Sequence, residues 1–198
     1  MEAITFTPAQ VQVFNLVSHI KTATGLEQLR KQLAAFYAKQ IDYEMDALWE
    51  SGQFDEKRMK ELRGSHFRTP YNKYVTMNPV VIDTNCLLQI ISRRSPYRPI
   101  WDAFLAGRFT LCASNEILDE YQEILEQQIS PTVAENVVML ILNQENVQLV
   151  DPHFRMGIIT ADPDDNKFVD CAFAAGADYL VSEDSHFRVL HDRGAWEE

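Results

Sequence analysis

The chain has 198 residues and a hydrophobic fraction of 46%, which excludes an intrinsically disordered protein and allows a sizeable core. No apolar stretch is long enough to span a membrane, and the N-terminus lacks the basic start and apolar run of a signal peptide. We therefore expect a cytoplasmic protein without a membrane partner. The net charge is −11, and it is uneven: residues 1–78 carry ten basic and nine acidic side chains, whereas residues 79–198 carry eight and twenty. Such an acidic half repels nucleic acid unless its carboxylates bind cations.

The N-terminal part of the chain predicts helices. Thr7 and Pro8 suit the start of a first helix that runs to about residue 21. A longer helix is expected over residues 26–51, because apolar residues recur three and four positions apart and Gly52 suits a C-terminal cap. A short helix follows over residues 55–62. These helices cannot close a core alone, so the apolar stripe of the long helix needs the rest of the chain or a second copy as its partner. The stripe consists of Leu26, Leu29, Leu33, Phe36, Tyr37, Ile41, Met45 and Leu48, and we expect Leu29, Leu33, Phe36 and Leu48 in particular to be buried.

After a proline-containing linker at residues 69–79, short apolar strands alternate with helices. Such alternation predicts an α/β fold, a parallel sheet flanked by helices, which binds ligands beyond the carboxyl ends of its strands. We accordingly divide the chain into an all-α segment, residues 1–76, and an α/β domain, residues 77–198. The predicted strands cover residues 79–82, 109–112, 147–150 and 179–181, and the predicted helices cover residues 97–107, 115–128, 132–142, 165–175 and 185–190.

Four acidic residues follow these strands or lie on the adjacent helix turns. They are Asp83, Glu120, Asp165 and Asp184. In a right-handed parallel sheet these positions converge on one edge, where carboxylates repel each other and must share protons or bind cations. All-oxygen ligands favour Mg²⁺ or Mn²⁺, which can activate water and stabilise charge on a phosphodiester. Taken singly, each acid also fits a helix cap or a solvated surface residue.

The segment Val81-Ile82-Asp83-Thr84-Asn85 resembles the opening motif of PIN-domain nucleases, and residues 162–184 resemble the second half of PIN toxins from bacterial toxin–antitoxin pairs. The resemblance implies an endoribonuclease that cuts single-stranded RNA with divalent metal and water. It places the family's four acids on Asp83, Glu120, Asp165 and Asp184.

The same resemblance assigns supporting roles by position. Thr84, Asn85 and Ser182 are expected to hold the acids by hydrogen bonds. Asp162 and Asp164 stand close to Asp165 in the sequence, so the third acid is fixed only to within a residue or so.

Several other residue types predict no chemistry. We interpret Asp170 as a rim or surface charge, and the five histidines, which share no ligand spacing, as surface or boundary residues. We interpret the three cysteines as small apolar core residues.

The first seventy or so residues resemble short antitoxin-like proteins, through Leu48-Trp49-Glu50-Ser51-Gly52 and His66-Phe67-Arg68-Thr69-Pro70-Tyr71. The resemblance implies an intramolecular inhibitor, in which Arg68, or else Arg63, enters the acidic site as a cation. The alternative is a helical extension that adds stability or contacts in a homo-oligomer.

Three functions are compatible with the sequence. The leading one is a ribonuclease toxin that carries its own inhibitory segment. The second is a regulatory toxin–antitoxin complex that binds operator DNA without nuclease activity, although the N-terminal part has no dense basic patch. The third is a PIN nuclease of RNA processing or DNA repair, which would use the same acids.

Overall fold

The computed structural model describes residues 20–62 and 78–192, together with residues 7, 12, 13, 17 and 18. None of the helices within these residues combines the length and apolarity needed to cross a bilayer. The helices are α1 (Ala23–Glu50), α2 (Glu56–Leu62), α3 (Thr84–Ile91), α4 (Arg98–Leu105), α5 (Asn115–Gln128), α6 (Pro131–Asn143), α7 (Asn166–Ala175) and α8 (Arg188–Asp192). The strands are β1 (Pro79–Ile82), β2 (Thr110–Ala113), β3 (Val147–Leu149) and β4 (Tyr179–Val181).

The four strands form one parallel sheet in the order β3-β2-β1-β4. The chain moves outward from β1 to β2 and β3, and then crosses back through α7 to place β4 on the other side of β1. The strand order therefore reverses between β1 and β4, and a crevice opens at their carboxyl ends. The predicted α/β class, a parallel sheet flanked by helices and preceded by a helical segment, is confirmed.

Local sequence explains the start of the helices that matter for this crevice. The hydroxyl of Ser114 accepts the backbone N–H of Ile117 and so caps α5. Gly52, at φ 73°, follows the end of α1, as its sequence position predicted. Helix α3 was not predicted: it has only eight residues, too few to show a sustained helical period, and seven of them are buried.

The hydrophobic core is shared between the helical segment and the α/β domain. Ile41 and Met45 of α1 are 0% and 1% exposed, and they belong to the same cluster as the strands. Helix α1 lies along α6, and the Asp42 carboxylate binds the Arg98 guanidinium at 2.7 Å, which ties it to α4. The rest of the chain is thus a partner for the buried side of α1.

The predicted apolar stripe of α1 is wrong in part. Leu33 and Phe36, expected to be buried, are 36% and 54% exposed, while Leu29 and Leu48 are half-buried. Two other members of the predicted stripe, Ile41 and Met45, are buried as expected, and so is Ala34, which the stripe did not include. The apolar side chains of α1 are frequent enough to spread over more than one face of the helix, so only part of the stripe is buried against the rest of the chain. The prediction that a second copy covers Leu33 and Phe36 stays a prediction.

The shared core predicts a stability effect that a separate N-terminal unit would not show. Ile41→Ala should lower the free energy of unfolding of the full chain by roughly 2–5 kcal/mol, because it leaves a cavity between α1 and the rest of the core. The measurement is urea unfolding followed by tryptophan fluorescence and circular dichroism. Leu26→Ala, at a side chain that is 54% exposed, is the control and should change stability by less than about 0.5 kcal/mol. Equal stabilities of the two variants would contradict a shared core.

Candidate active site

Asp83 lies at the centre of the crevice between β1 and β4. Its backbone N–H donates to the Val181 carbonyl at 2.9 Å, which extends the pairing of β1 with β4 by one residue. Its side chain is 4% exposed and accepts the Ser182 hydroxyl at 2.8 Å. Asp83 occupies the N-cap position of α3, and the Asn85 backbone N–H helps to stabilise its charged form.

Asp184 is linked to Asp83 through Ser182. The Ser182 Oγ accepts the Asp184 backbone N–H at 3.0 Å while it donates to Asp83. Asp184 then accepts the His186 backbone N–H at 2.9 Å, which fixes the short turn after β4. One serine thus sets the relative positions of two acids from different strands.

Glu120 reaches the crevice from α5. Its Oε1 accepts the Thr84 hydroxyl at 2.5 Å, and its Oε2 forms an ion pair with the Lys167 ammonium. The neighbouring Tyr121 is fully buried, and its hydroxyl donates to the Ile82 carbonyl at the end of β1. That hydrogen bond holds α5 against β1, and so it places Glu120 near Asp83.

Asp165 enters from the short turn before α7 and meets a histidine. Its Oδ2 lies 3.1 Å from the Nδ1 of His186, which is also 3.3 Å from Asp184 Oδ1. Asp162, Asp165 and His186 each offer a ligand atom within 4.8 Å of the others, an arrangement that suits a metal ion. The turn is held by Asn166, whose side chain donates to the Ile159 carbonyl at 2.7 Å and accepts the Ile159 N–H at 2.9 Å.

The carboxylates influence one another. The pKa of Asp83 is raised from 3.8 to about 6, mainly because burial disfavours its charged form, and the charges of Asp165 and Glu120 raise it further. Hydrogen bonds from Ser182 and the Asn85 backbone oppose this shift. Burial also raises the pKa of Asp165, while its hydrogen bond with His186 raises the pKa of the imidazole. The structure therefore brings Asp83, Glu120, Asp165 and Asp184 to one edge of the sheet.

The donor set fits a divalent cation. Carboxylate oxygens are the ligands that Mg²⁺ and Mn²⁺ prefer, and one imidazole nitrogen is tolerated more readily by Mn²⁺ than by Mg²⁺. A cation would also remove the repulsion that raises the pKa of Asp83, since opposite charge favours the ionised carboxyl. Among the described residues, Asp162, Asp165 and His186 have ligand atoms close enough together to share such an ion.

The sequence interpretation missed the place of two residues. His186 is a boundary residue, as expected, with a side chain that is 34% exposed, but it also lies between two of the acids. Its only sequence signal is its position two residues after Asp184. Asp170, expected on the rim or surface, is 1% exposed and accepts the Met156 N–H at 2.8 Å. It follows Asn166 by one helical turn, and so it shares the buried side of α7.

The remaining predicted residues fall into two groups. Thr84 and Ser182 donate to Glu120 and Asp83, whereas the Asn85 side chain is exposed and only its backbone acts on Asp83. Arg63 and Arg68 lie outside the described residues. The three cysteines are buried and free, as expected of core residues, and burial raises the pKa of Cys171 to about 12.

The raised pKa of Asp83 predicts a pH-dependent stability in metal-free protein. Because the folded pKa lies above the ordinary value, the unfolded chain releases this proton first, and stability falls as the pH rises from about 4 to 6. Asp83→Asn removes this loss. The free energy of unfolding of the variant should exceed that of the parent by at most about 3 kcal/mol above pH 7. Below pH 4 the two free energies should be equal.

Unfolding by urea in EDTA, repeated across this pH range, measures the difference. Asp151→Asn is the control, because that side chain is 89% exposed and its replacement should change stability by less than about 0.5 kcal/mol at every pH. If the free energies of unfolding of Asp83→Asn and the parent differ by the same amount at every pH from 4 to 7, the raised pKa of Asp83 is contradicted.

Comparison with protein families agrees with this geometry. Residues 79–186 match the family model described as PIN domain, and residues 1–68 match a family of unknown function (DUF8507). Searches of curated proteins and of solved structures gave no match. PIN domains are generally nucleases that use divalent metals. Since the first match covers more than half of the chain, the protein belongs to the PIN-domain family and has a metal-dependent nuclease fold.

Proposed function

We propose that the protein is a metal-dependent endoribonuclease of the toxin type, which hydrolyses phosphodiester bonds of single-stranded RNA. Asp83, Glu120, Asp165 and Asp184 hold Mg²⁺ or Mn²⁺, and His186 and Asp162 complete the ligand set. The observation that carries this proposal is the meeting of these acids at the reversal of strand order, beside β1 and β4.

The bound cation would neutralise phosphate charge and lower the pKa of an attacking water. The chain's own residues prepare the site for it. Ser182 orients Asp83 and Thr84 orients Glu120, so that neither carboxylate turns away from the crevice. His186 holds a proton between Asp165 and Asp184, which reduces their mutual repulsion until a cation arrives.

The acidic site is open at its rim, as a site for a polymer substrate needs to be. Asp83 is buried, but Glu120, Asp165, Asp184 and His186 are half-exposed and line the rim of the crevice. Lys167 adds a positive charge beside Glu120. A flexible single strand can approach such a rim, and the phosphate backbone of RNA supplies the anion that cation and lysine together attract.

Cleavage of a labelled single-stranded RNA in Mn²⁺ tests this proposal. We expect Asp184→Asn and Glu120→Gln to reduce the rate by at least about a hundredfold, since weakening even the outer contacts of a metal site costs roughly 10–100-fold. Asp119→Asn, an exposed residue beside Glu120, is the matched control and should retain full activity. Double-stranded RNA and single-stranded DNA are tested in parallel.

The result separates the three functions. Cleavage of DNA in preference to RNA would place the protein with nucleases of DNA repair and overturn the proposed substrate. Binding of operator DNA without cleavage of any nucleic acid would favour the regulatory complex.

We further propose that residues 1–76 act as a cis-acting, antitoxin-like inhibitor of the nuclease domain in residues 77–198. The nuclease domain carries eight basic and twenty acidic residues, so its acidic site attracts an arginine from the same chain. Arg68 is the first candidate and Arg63 the second. A truncated chain is a poor test, because Ile41, Met45, Phe54 and Met59 belong to the shared core and would be removed.

Arg68→Ala in the full chain should therefore raise the rate of RNA cleavage by about tenfold or more, since a charged hydrogen bond of roughly 1.5–3 kcal/mol is lost. Arg63→Ala should raise the rate of RNA cleavage by a smaller factor. Arg108→Ala, at an exposed residue between α4 and β2, is the matched control. Unchanged rates for both Arg63 and Arg68 variants would exclude inhibition by these residues and would leave the helical segment with a structural role.

A further inference from the structure

Helix α1 carries a second, mostly apolar line of side chains, away from the side that packs on the core. Its positions recur alternately three and four residues apart, which is the a and d spacing of a heptad repeat. At 3.6 residues per turn, the line lies roughly 140° around the helix from the buried Ala34, Ile41 and Met45. We call this line the α1 seam, and it consists of Leu29, Leu33, Phe36, Gln40, Tyr43 and Ala47.

The α1 seam is open to solvent over most of its length. Leu33 is 36% exposed, Phe36 is 54% exposed and Tyr43 is 69% exposed, and Ala47 is exposed as well. The seam spans about 27 Å along the helix, at 1.5 Å per residue. Single exposed apolar residues are normal on a protein surface, whereas a continuous line of them marks an interaction surface. The seam therefore suits a partner that brings an apolar line of its own.

The charges beside the α1 seam match a second copy of the same helix. Lys39 precedes Gln40 and occupies a g position of the repeat, and Glu44 follows Tyr43 and occupies an e position. In a parallel pair of helices, each g residue faces the e residue five positions later on the other helix, and opposite charges there set the choice of partner. Lys39 of one copy thus faces Glu44 of the second, and twofold symmetry repeats the attraction.

The polar member of the seam, Gln40, distinguishes a parallel pair from an antiparallel one. In a parallel pair the two Gln40 amides meet across the seam, and each can donate to the carbonyl oxygen of the other. In an antiparallel pair with the seams in contact, Gln40 lies opposite Leu29 or Phe36 instead. Burial of an amide without a hydrogen-bond partner is costly, so the parallel arrangement is favoured. A single polar residue at an a position commonly fixes the register of a coiled coil.

We propose that α1 pairs with α1 of a second copy of this chain as a parallel, twofold-symmetric coiled coil. Helix α1 is already folded along α6, so the pairing does not have to order it. The α/β domains stay on the outer sides of the pair, because the seam and the core-facing residues lie on different sides of α1. This pairing concerns the helical segment and does not rest on the proposed nuclease function.

Sedimentation velocity of the full chain over a range of concentrations measures the pairing. The parent should form a dimer, and Phe36→Gln should raise its dissociation constant by at least about a hundredfold, because both copies lose a large apolar side chain from the seam. Ala35→Gln is the matched control, since that residue is exposed but lies outside the seam, and it should leave the dissociation constant unchanged. Circular dichroism checks that both variants are folded. A parent that stays monomeric at every concentration would overturn the proposal.

Charge reversal tests the contact between Lys39 and Glu44. Lys39→Glu alone and Glu44→Lys alone each place like charges across the seam, and each should weaken the dimer roughly tenfold. In an equimolar mixture of the two variants, both contacts of a mixed dimer again join opposite charges, so the affinity should return to that of the parent. A mixture that associates no more tightly than either variant by itself would contradict the parallel arrangement.

Oxidative cross-linking tests the orientation directly. In a parallel pair, position 47 of one copy meets position 47 of the other, so Ala47→Cys should form an intermolecular disulfide. In an antiparallel pair the two positions are more than about 25 Å apart, at 1.5 Å per residue, which is far beyond the reach of a disulfide. The native cysteines are buried, and Ala35→Cys, outside the seam, is the control that should stay unlinked. A dimer in which Ala47→Cys does not cross-link, or cross-links no faster than Ala35→Cys, would overturn the parallel coiled coil.

Discussion

The burial of Asp83 beside other carboxylates, at the carboxyl ends of the strands, is the constraint on which the rest of this site depends. The strand order β3-β2-β1-β4 puts the carboxyl ends of β1 and β4 side by side, so Asp83 and Asp184 cannot separate without breaking the sheet. Burial makes the pKa of Asp83 rise to about 6, and the nearby charges of Asp165 and Glu120 add to the rise. A fold retains such an arrangement only if other contacts hold it, and the surroundings of these acids supply them.

Those contacts come from residues that carry no charge. Ser182 bridges Asp83 and Asp184, Thr84 fixes Glu120, and Asn166 secures the turn that delivers Asp165. Tyr121 has the most distant role, since its buried hydroxyl ties α5 to the end of β1.

The helical segment contributes to the same fold in two ways. One side of α1 completes the core through Ile41 and Met45, and the opposite side leaves Leu26, Phe36 and Tyr43 exposed. Helix α1 is part of the shared core, and its removal would open that core. An inhibitory role then belongs, in our proposal, to the residues after α2, where Arg63 and Arg68 lie.

The strands and most helices were predictable because their signals are local. Unbroken apolar strands, serine caps and the glycines after α1 and α7 specify their elements within a few residues of sequence. Helix α3 was missed because its eight residues are too few to show a sustained helical period. The burial of Asp170 and the position of His186 depend on which elements pack together, and that information is not local. The sequence could not decide between Asp162 and Asp165 as the third acid, because that choice also depends on how the elements pack. The structure places both residues beside His186.

The central claim is that these acids share a divalent cation, and crystals of the full chain soaked in MnCl₂ test it most directly. Anomalous diffraction locates manganese without reference to any assay of activity. The account predicts a strong peak bounded by Asp83, Asp165 and Asp184, and its loss in crystals of Asp184→Asn. Peaks confined to other surfaces, or a peak that persists at full height in that variant, would contradict a metal centre at the carboxyl ends of β1 and β4.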